Sequence, residues 1–216
     1  MISLIGQILC SALKNLFENQ PDIFDFTSQT GQTEWNLTHH LANEIHKYIF
    51  WLDHDLDVTK RNLGNKRPDI IFHKRGTNAL NFLVVEVKYR DRSVEEDIRK
   101  IKEDWMENEL KYRFGASIKI VDKNEYKVIL LDRKDDKWSN NQEIKFLPVS
   151  KLSNPIRNEI DQKVNKILSL TQSEDYLKNP QKQAKVKEYQ RQIDQLVYKL
   201  YDLRDEEIKI IEEEIR

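Results

Sequence analysis

Two carboxylates and a lysine stand out for what they could do together. Pro68-Asp69 precedes Glu86-Val87-Lys88 by about one hairpin. Residues two apart on a strand face the same side, so Glu86 and Lys88 point together while Val85 and Val87 face the opposite way. Asp69, opening the neighbouring strand, can lie beside Glu86. A charged pair in so apolar a strand is costly unless something compensates it. A divalent cation between Asp69 and Glu86 would do so, and hard oxygen ligands with room for water and phosphate suit Mg²⁺. Lys88 would then hold or deprotonate the attacking water while the cation stabilises charge developing on phosphorus. The plainer alternative is a Glu86–Lys88 salt bridge at the end of a sheet.

The elements that must carry these residues can be read from the pattern. Asp69-Ile70-Ile71-Phe72 reads as one strand, and Phe82 to Tyr89, rich in β-branched residues, as a central one. Gly76-Thr77-Asn78 turns between them. A strand around Leu52–Val58 comes before. Ile5, Leu9, Leu13 and Leu16 recur at helical spacing, which predicts a core-facing helix over about 3–18. Leu37, Leu41, Ile45, Tyr48 and Ile49 predict a second over about 33–50. Ser93 with Glu96 three residues on is a capping box. It opens a third helix over about 94–113, with Ile98, Ile101, Trp105, Met106 and Leu110 inward. Strands follow near 116–121, 126–131 and 143–147. The body, residues 1–150, is therefore expected to be α/β.

Beyond Pro148 the pattern changes. Residues 154–216 hold no glycine and no strand signal. Ile156, Ile160, Val164, Ile167 and Leu168 form one helical stripe. Val186, Tyr189, Ile193, Leu196, Val197 and Leu200 form another at near-heptad spacing, and Ile208, Ile211 and Ile215 mark a short third helix. Residues 151–216 are thus expected to be an α-helical hairpin. They carry 13 basic and 13 acidic side chains, which argues for protein assembly rather than an electrostatic grip on phosphates.

The whole chain, 216 residues with a net charge of -1, points to no partner by bulk charge. Its distribution is uneven. Residues 1–59 hold 2 basic and 8 acidic side chains, whereas residues 60–92 hold 9 basic and 3 acidic ones. A basic surface around a few carboxylates suits a phosphate-bearing substrate near a divalent cation, although on charge alone a solvated strand edge rich in Lys and Arg is the preferred reading. A single cysteine, Cys10, excludes a disulfide framework and a four-thiolate zinc site, and fits a reducing cytoplasm. The five histidines show no zinc spacing. Trp35, Trp51, Trp105 and Trp138 are scattered and are expected in the core rather than as base-stacking platforms.

Pro68-Asp69 with Glu86-Val87-Lys88, and the longer run Arg67-Pro68-Asp69-Ile70-Ile71-Phe72-His73-Lys74-Arg75-Gly76, resembles the PD-(D/E)XK, or restriction-endonuclease-like, nuclease superfamily over roughly residues 30–132. The resemblance implies a mixed sheet flanked by helices and Mg²⁺- or Mn²⁺-dependent hydrolysis of DNA phosphodiester bonds. It implies Asp69, Glu86 and the main-chain carbonyl of Val87 as metal ligands, Lys88 as the catalytic lysine, and Glu34 on the preceding helix as a further acidic residue at the metal. The tail, with Ile193-Asp194-Gln195-Leu196-Val197-Tyr198-Lys199-Leu200 and Glu206-Glu207-Ile208, resembles the helical region of type IIG restriction-modification enzymes, which fuse methylase and nuclease. No methylase motif or phosphate-binding loop accompanies it. The expectation is a restriction-like endodeoxyribonuclease of prokaryotic defence. Its tail would form a homodimer or engage a methylase or specificity partner. The rivals are a non-catalytic DNA-binding or adaptor protein on the same fold, and a subunit whose role is to assemble with a methylase.

Overall fold

The computed structural model describes residues 4–27, 31–60, 64–90, 94–134, 137–144, 155–173, 175–201 and 203–215. The chain divides into two units, Met1–Val149 and Ser150–Arg216. The first is α/β. Its six strands are β1 (Asp53–Leu56), β2 (Ile70–His73), β3 (Asn81–Tyr89), β4 (Phe114–Ile120), β5 (Tyr126–Lys134) and β6 (Lys137–Ile144). They lie side by side in chain order, and the open sheet is mixed because β3 and β4 run parallel while every other neighbouring pair is antiparallel.

Helices α1 (Leu4–Asn19) and α3 (Thr33–His46) pack on each other, with the short α2 (Ile23–Thr27) beside them. In α1 the buried positions Ile5, Ile8, Leu9, Ala12, Leu13 and Leu16 fall at intervals of three and four, which gathers them on one face. In α3 the matching stripe is Leu37, Leu41 and Ile45. This layer covers the face of the sheet on which His46 of α3 meets His54 and His54 stacks on Phe72. Cys10 lies in the buried stripe of α1, and burial raises its thiol pKa. The opposite face carries Ile71, Val84 and Leu131 beneath Ile101, Trp105, Met106, Leu110 and Tyr112. Because both its faces are covered, every residue of β3 from Asn81 to Val87 is buried. That burial on both sides is why its sequence is a continuous apolar run.

The predicted helix over 94–113 is shorter and changes its winding. α4 spans Val94–Lys100 and runs into a π-helical turn, Ile101–Met106. The Glu107 N–H donates to the Lys102 carbonyl, five residues back. Asn108 then ends the helix, its amide donating to the Asp104 carbonyl and its oxygen accepting from the Leu110 N–H. The physical cause is competition for the last turn: Asn108 captures main-chain groups that would have continued the helix. Below the wide turn sits Gly115 of β4. A Cβ there would come within 2.3 Å of Ile101 Cγ2 and 2.7 Å of Met106 Sδ, so only glycine lets the turn sit this close.

Other boundaries shift as well. α3 ends at His46, four residues early, although Ile49 beyond it stays buried. The last strand begins at Lys137 rather than near 143, because main-chain pairing with β5 sets it, Arg133 opposite Trp138. Side-chain alternation cannot reveal a polar edge strand of this kind. Residues 145–147 of the expected strand, and Ser93 of the expected capping box, lie outside the described residues.

The second unit is helical. α5 (Pro155–Thr171) packs against α6 (Pro180–Leu200), and α7 (Asp205–Ile215) follows. Asn179 caps α6, its side chain accepting from the Gln181 and Lys182 N–H groups, with Pro180 supplying the fixed φ of the first helical position. Val186 and Tyr198 are buried within this unit. Val164 and Leu168 of α5 and Leu177 are exposed. Among the described residues, no helix is long and apolar enough to cross a membrane.

Candidate active site at the end of β3

The carboxyl-terminal end of β3 is where the singled-out residues meet. Ile70 pairs with Val85, which sets Asp69 at the mouth of the β2–β3 pair beside Glu86. The Val87 N–H donates to Asp69 Oδ2 at 2.7 Å, fixing the carboxylate. The main chain holds Asp69 from the other side too: its carbonyl accepts from the N–H of Asp57, a left-handed residue with φ 50° just past β1. Lys88 Nζ stands 3.8 Å from Asp69 Oδ2 and 3.9 Å from Asp97 Oδ1 on α4. Glu34 reaches across from α3, its Oε2 accepting from the Tyr89 N–H at 3.2 Å. It therefore holds the backbone next to Lys88, and its charge adds to the rise in the Asp69 pKa.

Glu86 is placed differently from its partners. Its side chain is fully buried, with Oε2 accepting from Lys100 Nζ at 2.7 Å and Oε1 from Trp105 Nε1 at 3.0 Å. Lys100 also donates to the Arg67 carbonyl and lies over the Trp105 ring. Neither Lys100 nor Asp97 was picked out from the sequence, and Trp105 was read only as core. The signal was present, because Asp97 and Lys100 are three apart on α4 and so share a face. Without knowing that this face meets Glu86 and Lys88, they read as solvated charges.

Burial sets the electrostatics. It lifts Glu86 to about 7, the charge of Asp69 adding to the effect and Lys100 opposing it. Burial likewise raises Asp69, against the pull of the Val87 N–H and Lys88. Asp97 is raised by burial too, and its Oδ2 has no hydrogen-bond partner. Burial pulls Lys88 down, but Asp69, Asp97, Glu86 and Glu34 more than offset it, so its pKa lies above the usual lysine value. A lysine so held keeps its proton at neutral pH.

Asp69, Glu86 and Asp97 offer only hard oxygen, two of these groups resist ionising beside each other, and Asp97 Oδ2 is an orphaned buried acceptor. Among the described residues no three histidine, cysteine or carboxylate side chains group to enclose a metal. An ion here would be held by two carboxylates and a main-chain oxygen, with water and phosphate completing its shell, which is the habit of Mg²⁺ rather than of a closed zinc site. Asp69 and Glu86 are of the donor type that Mg²⁺ takes, while both Glu86 oxygens already accept, from Lys100 and Trp105, so the Lys100 ammonium supplies part of the compensation Glu86 requires.

Beside these groups opens a cleft of about 500 Å³, lined among others by Gly31, Glu34, Trp35, Asp69, Tyr89 and Arg90. Trp35, expected in the core, is 61% exposed, and its ring stacks on His39 with centroids 5.7 Å apart and planes 9° from parallel. The physical reason is its place on α3: Leu37, Leu41 and Ile45 take the inward stripe, which leaves Trp35 on the open side. Trp105 is core, and Trp51 meets Phe82 edge-on. The Trp138 side chain lies outside the described residues. Away from the cleft, His73 Nε2 pairs with Asp55 Oδ2 at 2.8 Å, and Arg75 bridges Asp53 and Asp55. Arg75 and then His73 hold Asp55 down at about 2.

Compared with known proteins, the chain matches no protein-family model, no curated protein and no solved structure.

Proposed function

We propose that the protein is a Mg²⁺-dependent endodeoxyribonuclease with the restriction-endonuclease-like fold. The observation that carries this reading is the convergence of Asp69, Lys88 and Asp97 at the end of β3, where Asp69 also raises the pKa of buried Glu86. The mixed sheet, with helices over both faces, agrees with it. A bound cation would supply Lewis-acid stabilisation of charge developing at the phosphate. Asp69, Glu86 and the Val87 carbonyl would hold it. Asp69 and Asp97 keep the Lys88 ammonium at the mouth of the site, where it donates to the attacking water or to a phosphate oxygen. Glu34 fixes the backbone of Tyr89 beside it.

One observation favours a second reading. Both oxygens of Glu86 are already occupied, by Lys100 and Trp105, as in an ion pair that needs no metal. That arrangement fits a non-catalytic DNA-binding protein on the same fold, in which Lys100 takes the place of the cation. Nicking of supercoiled plasmid, with and without Mg²⁺, separates the two. The nuclease reading expects metal-dependent nicking that Asp69→Asn abolishes, and that Lys88→Ala abolishes while DNA binding persists. Plasmid binding without cleavage in Mg²⁺ or Mn²⁺ would establish the second reading instead.

A further inference from the structure

From the cleft we infer that the substrate strand enters as unpaired DNA, with one base stacked on Trp35. This rests on the nuclease reading for the identity of the polymer, but not for the contact itself. Trp35 sits one residue from Glu34 and lines the same cleft as Asp69, so whatever stacks on it lies next to the candidate chemistry. The indole lies nearly parallel to the His39 ring, and Trp35 remains largely exposed. An exposed tryptophan that lies in a cleft beside a parallel neighbour is a stacking surface, because every base has a π-face and indole binds it without regard to sequence. Arg90, exposed and held over the Tyr89 ring at 4.8 Å, brings the cleft a cation that can meet a phosphate.

The same geometry excludes a base inside a duplex. There both faces of each base are stacked on neighbours, and a ring can be offered to Trp35 only from a single strand, a frayed end or an extruded nucleotide. The cleft volume lies in the range of roughly 300 to 1,000 Å³ typical of small-molecule sites, which accommodates a nucleotide and not a double helix. Glu34, Asp57 and Asp69 line it with negative charge. Arg90 is the cation among these lining residues, and the stacking contact adds an attraction that does not depend on charge.

The test is binding of the full chain to a fluorescein-labelled single-stranded oligothymidylate and to a blunt duplex of equal length. Anisotropy is read in Ca²⁺ and again in EDTA, for the wild type, Trp35→Ala and Trp35→Phe. The wild type is expected to prefer the single strand. Trp35→Ala should lose roughly tenfold in single-strand affinity, the scale of one stacked base, with duplex affinity unchanged, and Trp35→Phe should retain most of it. Equal single-strand binding by Trp35→Ala, an equal loss on both DNAs, or no single-strand preference in the wild type would overturn the inference. The two readings fail separately. A tenfold loss in a protein that cleaves neither plasmid nor the single strand in Mg²⁺ leaves this contact standing and removes the nuclease. Metal-dependent nicking with Trp35→Ala binding as the wild type does the reverse.

Discussion

Glu86→Gln should remove a pH dependence that the buried carboxyl imposes on folding. In the unfolded chain this group ionises at its ordinary value of 4.5, and in the fold only near 7. Below 4.5 it is protonated in both states and contributes no difference. Between the two values the native state keeps a proton that the unfolded state has lost, so stability falls as pH rises, and above 7 the whole penalty is present. Each tenfold difference in proton affinity is about 1.4 kcal/mol, so the wild type loses roughly 2 to 3 kcal/mol through this group between pH 5 and pH 8. The amide cannot ionise. Asp69, relieved of its neighbour, ionises more readily and adds in the same direction. Urea unfolding of both proteins at pH 5 and pH 8 gives the comparison. The stability of Glu86→Gln relative to the wild type should rise by that amount, whatever constant cost comes from leaving Lys100 facing an amide. A relative stability that stays flat between the two pH values would refute the reasoning. On the nuclease reading, Mg²⁺ should also restore the wild type at pH 8 and leave the variant unchanged, which thermal melts with and without the ion would show.

Two further outcomes concern the layer over this site. Trp105→Phe deprives Glu86 Oε1 of its only donor among the described residues and should cost about 1–3 kcal/mol, together with a steeper loss of stability as pH rises, both measurable by urea denaturation across pH. Gly115→Ala forces a methyl against Ile101 and Met106 and should destabilise by about 1–3 kcal/mol, read as a lower Tm by calorimetry.

The parts of the fold that the sequence made legible are those where burial acts on regular spacing. The stripes of α1 and α3 and the continuous apolar run of β3 announced themselves because each exposes a fixed period to a core. The π-helical turn and the early end of the helix did not, because neither a main-chain N–H reaching five residues back nor the Asn108 side chain capturing main-chain groups leaves a mark on hydrophobic periodicity. β6 was misplaced because pairing, not burial, defines a polar edge. At the site, strand alternation was enough to bring Asp69, Glu86 and Lys88 to one end of the sheet. What it could not tell was that the crossover helix lays Asp97 and Lys100 over them, since that depends on tertiary packing between segments far apart in the chain. Trp35 was missed for the complementary reason: a helical tryptophan is ordinarily inward, and only the competing stripe of Leu37, Leu41 and Ile45 turns it out.

The placement of Cys10 makes the protein its own stopwatch. The chain has one sulfhydryl, and α1 seals it in the core with its acidity weakened by burial. A thiol reagent therefore has a single target and cannot reach it while α1 is docked. Alkylation of the native protein should proceed only as fast as that helix lifts away, so one mass shift, followed over time, times the excursions of the layer that holds Glu34 against the end of β3.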